Sequence, residues 1–500
     1  MSFPDAARRI DQLRDLYPDK FPAGQEIFRR IRRGDRIFVG TGCAEPRHLV
    51  NAFMEYARAN PKAFFDAELS HVLALGLTPH SFESYRPNFR QDFFYIADST
   101  RDAINRGMAD YTPVFLSQVP RLFRRRLIAV DVAFIQVSPP GERGEVSLGI
   151  SVDVMPEAIR HCPLVIAQVN TNMPFVHGES LVDPEDIDFF IHHDEPLMEY
   201  VQTGPDETVR KIGAHAAKII PDGSTLHIGY GRVPDGILAC LGTKRHLGVH
   251  TELLSAGIVD LMRQGVVDNT CKTLDRGRTV ACMCLGTADI YRYLHDNPGI
   301  WFMPAEYTNN PLVIARQENM VAIESAMQID LTGQATAESI GQDFQSGIGG
   351  RADFLRTVAS SPTGKAILAL PSTARSGTVS RIVPFLPEGA GVTFDQVLAM
   401  HAHADVVHYG HDWGKQEREP GQAAGCSNFA AWGPLTVDGT LIHGRNLDWT
   451  IGSGVQESAV VYVGIPQRGH PFALVTYAGM IGAVTGMSAR GITFGEMTSQ

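Results

Sequence analysis

Four short stretches carry residue types that could do chemistry. Ser346-Gly347-Ile348-Gly349-Gly350 is the first. Backbone N–H groups without Cβ bulk can approach a phosphate or an oxyanion closely. The competing reading is a tight turn, which spacing alone favours. No Gly-Lys-Ser/Thr follows, so this is not a Walker A loop. The second is Gly248 to Gly257, which contains Glu252. A carboxylate there could act as a catalytic group, or could sit in a helix's first turn where the dipole favours it. Residue types favour the helix turn. The third is Glu324, ahead of Ile329-Asp330-Leu331. It could be a base, but an exposed edge residue is the reading that residue type supports. The fourth is Gly425-Cys426-Ser427, followed by Gly444-Arg445-Asn446-Leu447-Asp448. A cysteine after glycine could become an N-terminal nucleophile that uses its own amine as base. Arg445 and Asp448 could then orient a substrate. The alternative, a buried cysteine and an Asn-x-Asp turn, is favoured by residue types.

These residues need a scaffold, and composition bounds it. The chain has 500 residues, 44% hydrophobic and 20% charged, which predicts two to four domains with a large core. Lys and Arg number 44 against 55 Asp and Glu, a net charge of −11. That balance argues against a nucleic-acid partner. The one basic run, Arg121 to Arg126, reads as a solvated helix end. No apolar leader precedes the charged segment Arg8 to Asp15, and the seven cysteines form no CxxC pair. Together these predict a reducing cytoplasm, no membrane partner and no metal. The apolar stretch Pro471 to Met487 is too short and interrupted for a membrane span and reads as paired strands.

Apolar strand-like runs alternate with helical segments, which predicts an α/β fold with mainly parallel strands. Gly34, Gly40 and Gly42 flank one strand, and Gly223, Gly229 and Gly231 flank another at the same spacing. Each set leads into a helix with proline near its start, which predicts a duplicated α/β unit. The expected domains are 1–210 and 211–391. Beyond Val392 the pattern changes to short alternating strands separated by turns, predicting an antiparallel third segment, 392–500.

Taken in order, several motifs resemble the acetyl-CoA hydrolase/transferase family, which includes 4-hydroxybutyrate and butyrate:acetate CoA-transferases. They include Val137-Ser138-Pro139-Pro140-Gly141, Gly229-Tyr230-Gly231, His250-Thr251-Glu252, Pro304 to Pro311, Ser346 to Gly350 and Pro371 to Arg375. The resemblance covers about residues 1–391. It implies two tandem related CoA-transferase domains. It also implies that Glu252 forms a glutamyl-CoA thioester during transfer of CoA between a short-chain acyl-CoA and a carboxylate, with hydrolysis as a side reaction. Gly229, Gly231, Met327, Gly349, Gly350 and Arg375 fall where that family contacts coenzyme A. Arg351 departs from the usual glutamine. The implied assembly is a homodimer or higher.

Residues 393–500 resemble instead the Ntn hydrolases related to penicillin acyltransferase and choloylglycine hydrolase. That likeness makes Cys426 a nucleophile, with Arg445 and Asp448 as site residues. The expectation is therefore a CoA-transferase whose own tail is replaced by a partial Ntn-hydrolase-like α+β segment. The alternatives are an amidohydrolase acting through Cys426, or an inactive fusion of two truncated enzymes.

Overall fold

A computed structural model describes residues 5–22, 24–62, 66–76, 88–201, 204–341, 343–384 and 386. It also describes the strands Cys426–Gly433, Gly439–Leu447, Ala459–Gly464, Phe472–Tyr477, Thr485–Ser488 and Thr493–Gly495. The chain divides into two compact units. One joins Met1–Met327 to Ala337–Arg381, and the other joins Gln328–Thr336 to Ile382–Gln500.

Apolar runs in the first unit become the strands of two parallel sheets. In chain order, the strands of the first sheet are β1 (Arg36–Val39), β2 (Ala67–His71), β3 (Phe89–Phe93), β4 (Asp110–Tyr111), β5 (Val132–Val137), β6 (Val165–Val169) and β7 (Phe189–His192). Their spatial order is β7-β6-β5-β1-β2-β3-β4, and every pairing is parallel. All residues of β5 and β6 are buried, as expected for strands covered on both faces. The two-residue period separates the cores. Ile37 and Val39 pack with Phe53, Phe134 and Ile166 on one face, while Phe38 joins Phe94 and Phe123 on the other.

The strands that matter for chemistry follow. They are β8 (Thr225–Ile228), β9 (Gly248–Val249), β10 (Leu253–Ser255), β11 (Met283–Leu285), β12 (Met320–Ser325) and β13 (Lys365–Ala369). A second parallel sheet runs β9-β8-β12-β13, and β10 pairs with β11 alongside it.

The glycine echo has a structural counterpart. Gly34 and Gly42 flank β1 with φ of 80° and 60°, and Gly223 and Gly231 flank β8 with φ of 73° and 126°. These left-handed values admit glycine at little cost. The middle glycines behave alike. Gly40 N–H donates to Phe134 O across to β5, and Gly229 N–H donates to Ile323 O across to β12.

In the second unit, Gln328–Asp330 pairs with Ala335–Thr336 and with Ile382–Val383. Asp330 organises this turn. One carboxylate oxygen accepts from the N–H groups of Thr332 and Gln334, and the other accepts from Leu386 N–H. Downstream, Cys426–Gly433 and Gly439–Leu447 form an antiparallel hairpin. Four further strands pair antiparallel in sequence order, with Phe472–Tyr477 against Thr485–Ser488 as the apolar stretch predicted. The expected junction at Val392 and the candidate Asp448 lie outside the described residues. Among the described residues no helix is long and apolar enough to cross a membrane.

Candidate active site

Glu252 does not lie in a helix. It occupies a bend in the short link between β9 and β10, and the next helix begins only at Ala256. Backbone hydrogen bonds on both sides hold the link. His250 N–H donates to Leu226 O and Thr251 N–H to Val280 O, while Glu252 O accepts from the N–H groups of Cys282 and Met283. Behind it, buried Lys272 donates from Nζ to Val249 O (2.8 Å) and Arg278 O (2.7 Å), holding the end of β9.

The Glu252 side chain lines a cavity of about 450 Å³. Its Oε2 accepts a 2.9 Å hydrogen bond from Asn309 Nδ2. Thr308 donates its hydroxyl to Asn309 Oδ1 at 2.8 Å, which fixes the amide end that faces the carboxylate. Burial pushes the Glu252 carboxyl up to about 7. The Asn309 hydrogen bond opposes that rise, and the charges of Glu324, Asp353 and Asp153 add to it.

The glycine run closes the other side. A Cβ on Gly350 would overlap both Glu252 Oε2 and Asn309 Nδ2, so only glycine permits this approach. Gly349 has φ 53°, and a Cβ there would stand 3.0 Å from the Tyr95 ring. Loops of the first sheet hold the run in place. Leu116 N–H donates to Gly349 O at 3.3 Å, Ile348 N–H donates to the Tyr111 hydroxyl at 3.0 Å, and buried Asp353 accepts from Ser117 N–H and Oγ. The run is thus a tight turn as well as a wall of the site.

Glu324 requires a correction. It is not an exposed edge residue, because β12 is an inner strand of its sheet and Glu324 is 7% exposed. Its Oε1 pairs with His227 Nε2 at 3.0 Å, and His227 Nδ1 meets Thr251 Oγ1 at 3.0 Å. The His227 ring stacks on Phe354, with centroids 3.6 Å apart. A Cβ on Gly229 would overlap the Glu324 carboxylate.

Of the candidate contacts, Gly229, Gly231, Met327, Gly349 and Gly350 line the same cavity as Glu252. Arg351 lines it too, ion-paired with Glu338. Arg375 does not line it. It is exposed in the turn Arg375–Gly377, with φ 47°. Cys426 is the first residue of its strand, in register with Leu447, while Arg445 is in register with Asn428.

Asn309 was not legible as a site residue. A clue lay in Asn309-Asn310-Pro311, where Asn310 Oδ1 accepts from Leu312 N–H to cap the next helix. That helix start accounts for only one of the two asparagines. Among the described residues, no cluster of three or more His, Cys, Asp or Glu is placed to hold a metal ion.

One prediction follows from the raised carboxyl. Activity that needs Glu252 ionised falls as pH drops through about 7. Asn309→Ala removes the hydrogen bond that favours the charged form. The acid limb of kcat/KM is expected to move up by about one pH unit, measured as a full pH profile of both proteins. An unmoved limb would show that Asn309 does not stabilise the anion.

Parallel sheets bring a half-buried carboxylate, held by an amide, and a glycine turn to one cavity, and the matches to known proteins make this an α/β enzyme of the CoA-transferase and acetyl-CoA hydrolase type. The chain belongs to the acetyl-CoA hydrolase/transferase family. The family's N-terminal domain matches residues 5–202 and its C-terminal domain matches residues 286–410, past the junction expected near Val392. The chain is 40% identical over 379 residues to 4-hydroxybutyrate coenzyme A transferase of Clostridium kluyveri, covering 76% of this chain and 87% of that protein. It is 36% identical over 415 residues to a succinyl-CoA:acetate/propanoyl-CoA:succinate CoA transferase of Fasciola hepatica, covering 81% and 85%. The crystal structure of RipA from Yersinia pestis is similar, with a TM-score of 0.70, 32% identity, and 75% of this chain and 87% of that one covered.

Proposed function

We propose that this enzyme moves CoA between a short-chain acyl-CoA and a carboxylate through a glutamyl-CoA thioester at Glu252. The Glu252 carboxylate attacks the acyl carbonyl, and CoA thiolate leaves the tetrahedral adduct, breaking the C–S bond and giving a mixed glutamyl–acyl anhydride. The thiolate then attacks the glutamyl carbonyl, freeing the first carboxylate and forming glutamyl-CoA. An incoming carboxylate attacks that thioester and expels the thiolate, which attacks the new acyl carbonyl and restores Glu252. No proton must be moved, and the thioester broken at the start is matched by a thioester of similar energy at the end. The Gly349–Gly350 backbone is suited to meet the oxyanion of each tetrahedral intermediate. Water attacking glutamyl-CoA in place of a carboxylate gives net hydrolysis.

The observation that carries this reading is the Glu252 carboxylate, held by Asn309 against a glycine that leaves it uncovered. Gly229, Gly231 and Met327 line the route toward it, and exposed Arg375 is free to meet the phosphates of CoA outside the cavity. The same reading expects a cytoplasmic homodimer. The test is borohydride reduction after adding acetyl-CoA, followed by peptide mapping. The expected result is a reduced side chain at Glu252. An unmodified Glu252 peptide under conditions of turnover would refute the glutamyl-CoA step.

A second reading concerns the segment from 392 on, as an Ntn-type amidohydrolase remnant. Its support is the motif around Cys426 and the hairpin register that sets Cys426 and Arg445 on paired strands. It predicts a fragment that begins at Cys426 in an intact-mass spectrum. A spectrum with the full-length chain alone would exclude processing there and leave the segment without that activity.

A further inference from the structure

We propose that His250 is a positioning residue for the Glu252 carboxylate, acting through Thr308 and Asn309. The role rests on the transferase reading and assigns a further part of that same site.

Asn309 can hold Glu252 only while its own amide is held, and three contacts do this. Its backbone N–H donates to Ala305 O at 2.9 Å, closing the short helix Ala305–Thr308. Its Oδ1 accepts from the Thr308 hydroxyl. The third contact comes from His250. The last carbonyls of a helix lack partners within it, and His250 Nε2 meets Thr308 O at 2.9 Å. Thr308 C=O and Asn309 N–H belong to one planar peptide unit. His250 therefore grips one edge of that plane while Ala305 O grips the other, and Asn309 Cα leaves from its end.

The geometry also fixes the proton. A carbonyl oxygen only accepts, so Nε2 carries the hydrogen. Nδ1 is then bare, and it is buried with no hydrogen-bond partner among the described residues. Burial pulls the ring's pKa down to about 3. The nearby charges of Lys272 and His227 add to that fall, and the Thr308 bond opposes it. The imidazole is neutral and its donor in place throughout the range in which Glu252 titrates. Tyr307 and Phe354 flank the ring, with centroids 6.0 and 6.2 Å away.

His250 and Glu252 also share the link between β9 and β10. The contacts therefore close a ring that runs from the link through His250, Thr308 and Asn309 to the Glu252 carboxylate. That ring fixes the carboxylate relative to its own backbone. Without the His250 contact the Thr308–Asn309 peptide can tilt, the amide turns from Oε2, and the anion loses its hydrogen bond.

The test compares wild type with His250→Gln, His250→Asn and His250→Leu, each alone and combined with Asn309→Ala. Glutamine carries an amide N–H to about the reach of Nε2, whereas asparagine ends near the position of Nδ1. Two readouts are taken across pH. One is CoA transfer from acetyl-CoA to propanoate. The other is the Glu252 titration by carboxyl ¹³C NMR, assigned by its loss in Glu252→Gln. His250→Asn and His250→Leu are expected to raise the acid limb of kcat/KM by about half to one pH unit. Their kcat should fall about tenfold with KM for acetyl-CoA within about twofold of wild type. His250→Gln should keep the limb within about 0.2 pH unit of wild type. In the Asn309→Ala background none of the changes should move the limb further, because the contact acts through an amide already removed. A limb unmoved in folded His250→Asn, a limb raised equally by glutamine, or a further rise in the double variants would overturn the proposal and leave His250 a packing role alone. A wild type that transfers no CoA would overturn the transferase reading, and the Glu252 titration in the same variants would then decide the His250 contact by itself.

Discussion

Glu252→Gln is expected to lower kcat/KM by at least about 10⁴-fold and, at the same time, to stabilise the fold at alkaline pH. The first effect follows from the proposed glutamyl-CoA step, which needs the Glu252 carboxylate to attack the thioester. An amide is a poor nucleophile and cannot form the anhydride. The second follows from linkage. The folded-state carboxyl is raised to about 7, against 4.5 for an ordinary glutamate. Below 4.5 both folded and unfolded chains hold the proton, so wild type and variant are equal. Between 4.5 and 7 the unfolded chain ionises first, and wild type loses stability as pH rises. Above 7 the loss is complete, on the order of 2–3 kcal/mol. Glutamine carries no charge at any pH and can still offer an oxygen to Asn309. Thermal midpoints measured at pH 4.5 and pH 8 should therefore coincide at the first and diverge at the second, with the variant higher. Equal midpoints at pH 8 would mean that the carboxylate is solvated well enough to carry little strain. A higher midpoint for the variant at pH 8, together with lost transfer, would make Glu252 a place where stability is traded for reactivity.

The parallel sheets were legible because their strands are buried on both faces. Runs such as Val132–Val137 are nearly continuously apolar for that reason, and the two glycine triplets flank strands with matching turns. The site was legible mainly by family resemblance. Residue types alone ranked Glu252 as a helix-turn residue and Glu324 as an edge residue, and both rankings fail for the same reason. Each depends on which strands lie alongside, and local sequence does not show that. Glu252 becomes a paired link only because Cys282 and Met283 come back to its carbonyl. Glu324 becomes buried only because β12 is flanked by β8 and β13. Asn309 lies 57 positions from the carboxylate it holds, beyond the reach of any periodicity argument.

Gly350→Ala should be the sharpest separation of folding from chemistry. Gly350 has φ −90° and ψ −8°, which alanine adopts without strain. The backbone therefore gives no reason for glycine at this position. The reason lies in the site, because the added methyl would overlap Glu252 Oε2 and Asn309 Nδ2. Both are side-chain ends, so the protein can relieve the overlap by pushing them apart, at the cost of the hydrogen bond that orients the Glu252 carboxylate. A displacement of about 1 Å in a reacting group costs on the order of 100-fold in rate. Losing the anion's hydrogen bond adds about another tenfold. The expected outcome is a fall in kcat/KM of about 10³-fold, with a thermal midpoint close to wild type. Gly349→Ala provides the contrast. Its φ of 53° penalises any side chain, and its Cβ would press on Tyr95 rather than on Glu252. That variant should lose stability first and activity second. If Gly350→Ala instead unfolds the protein, or keeps most of its activity, then the glycine serves the turn and not the carboxylate. The close approach of Gly350 to Glu252 would then carry no catalytic weight.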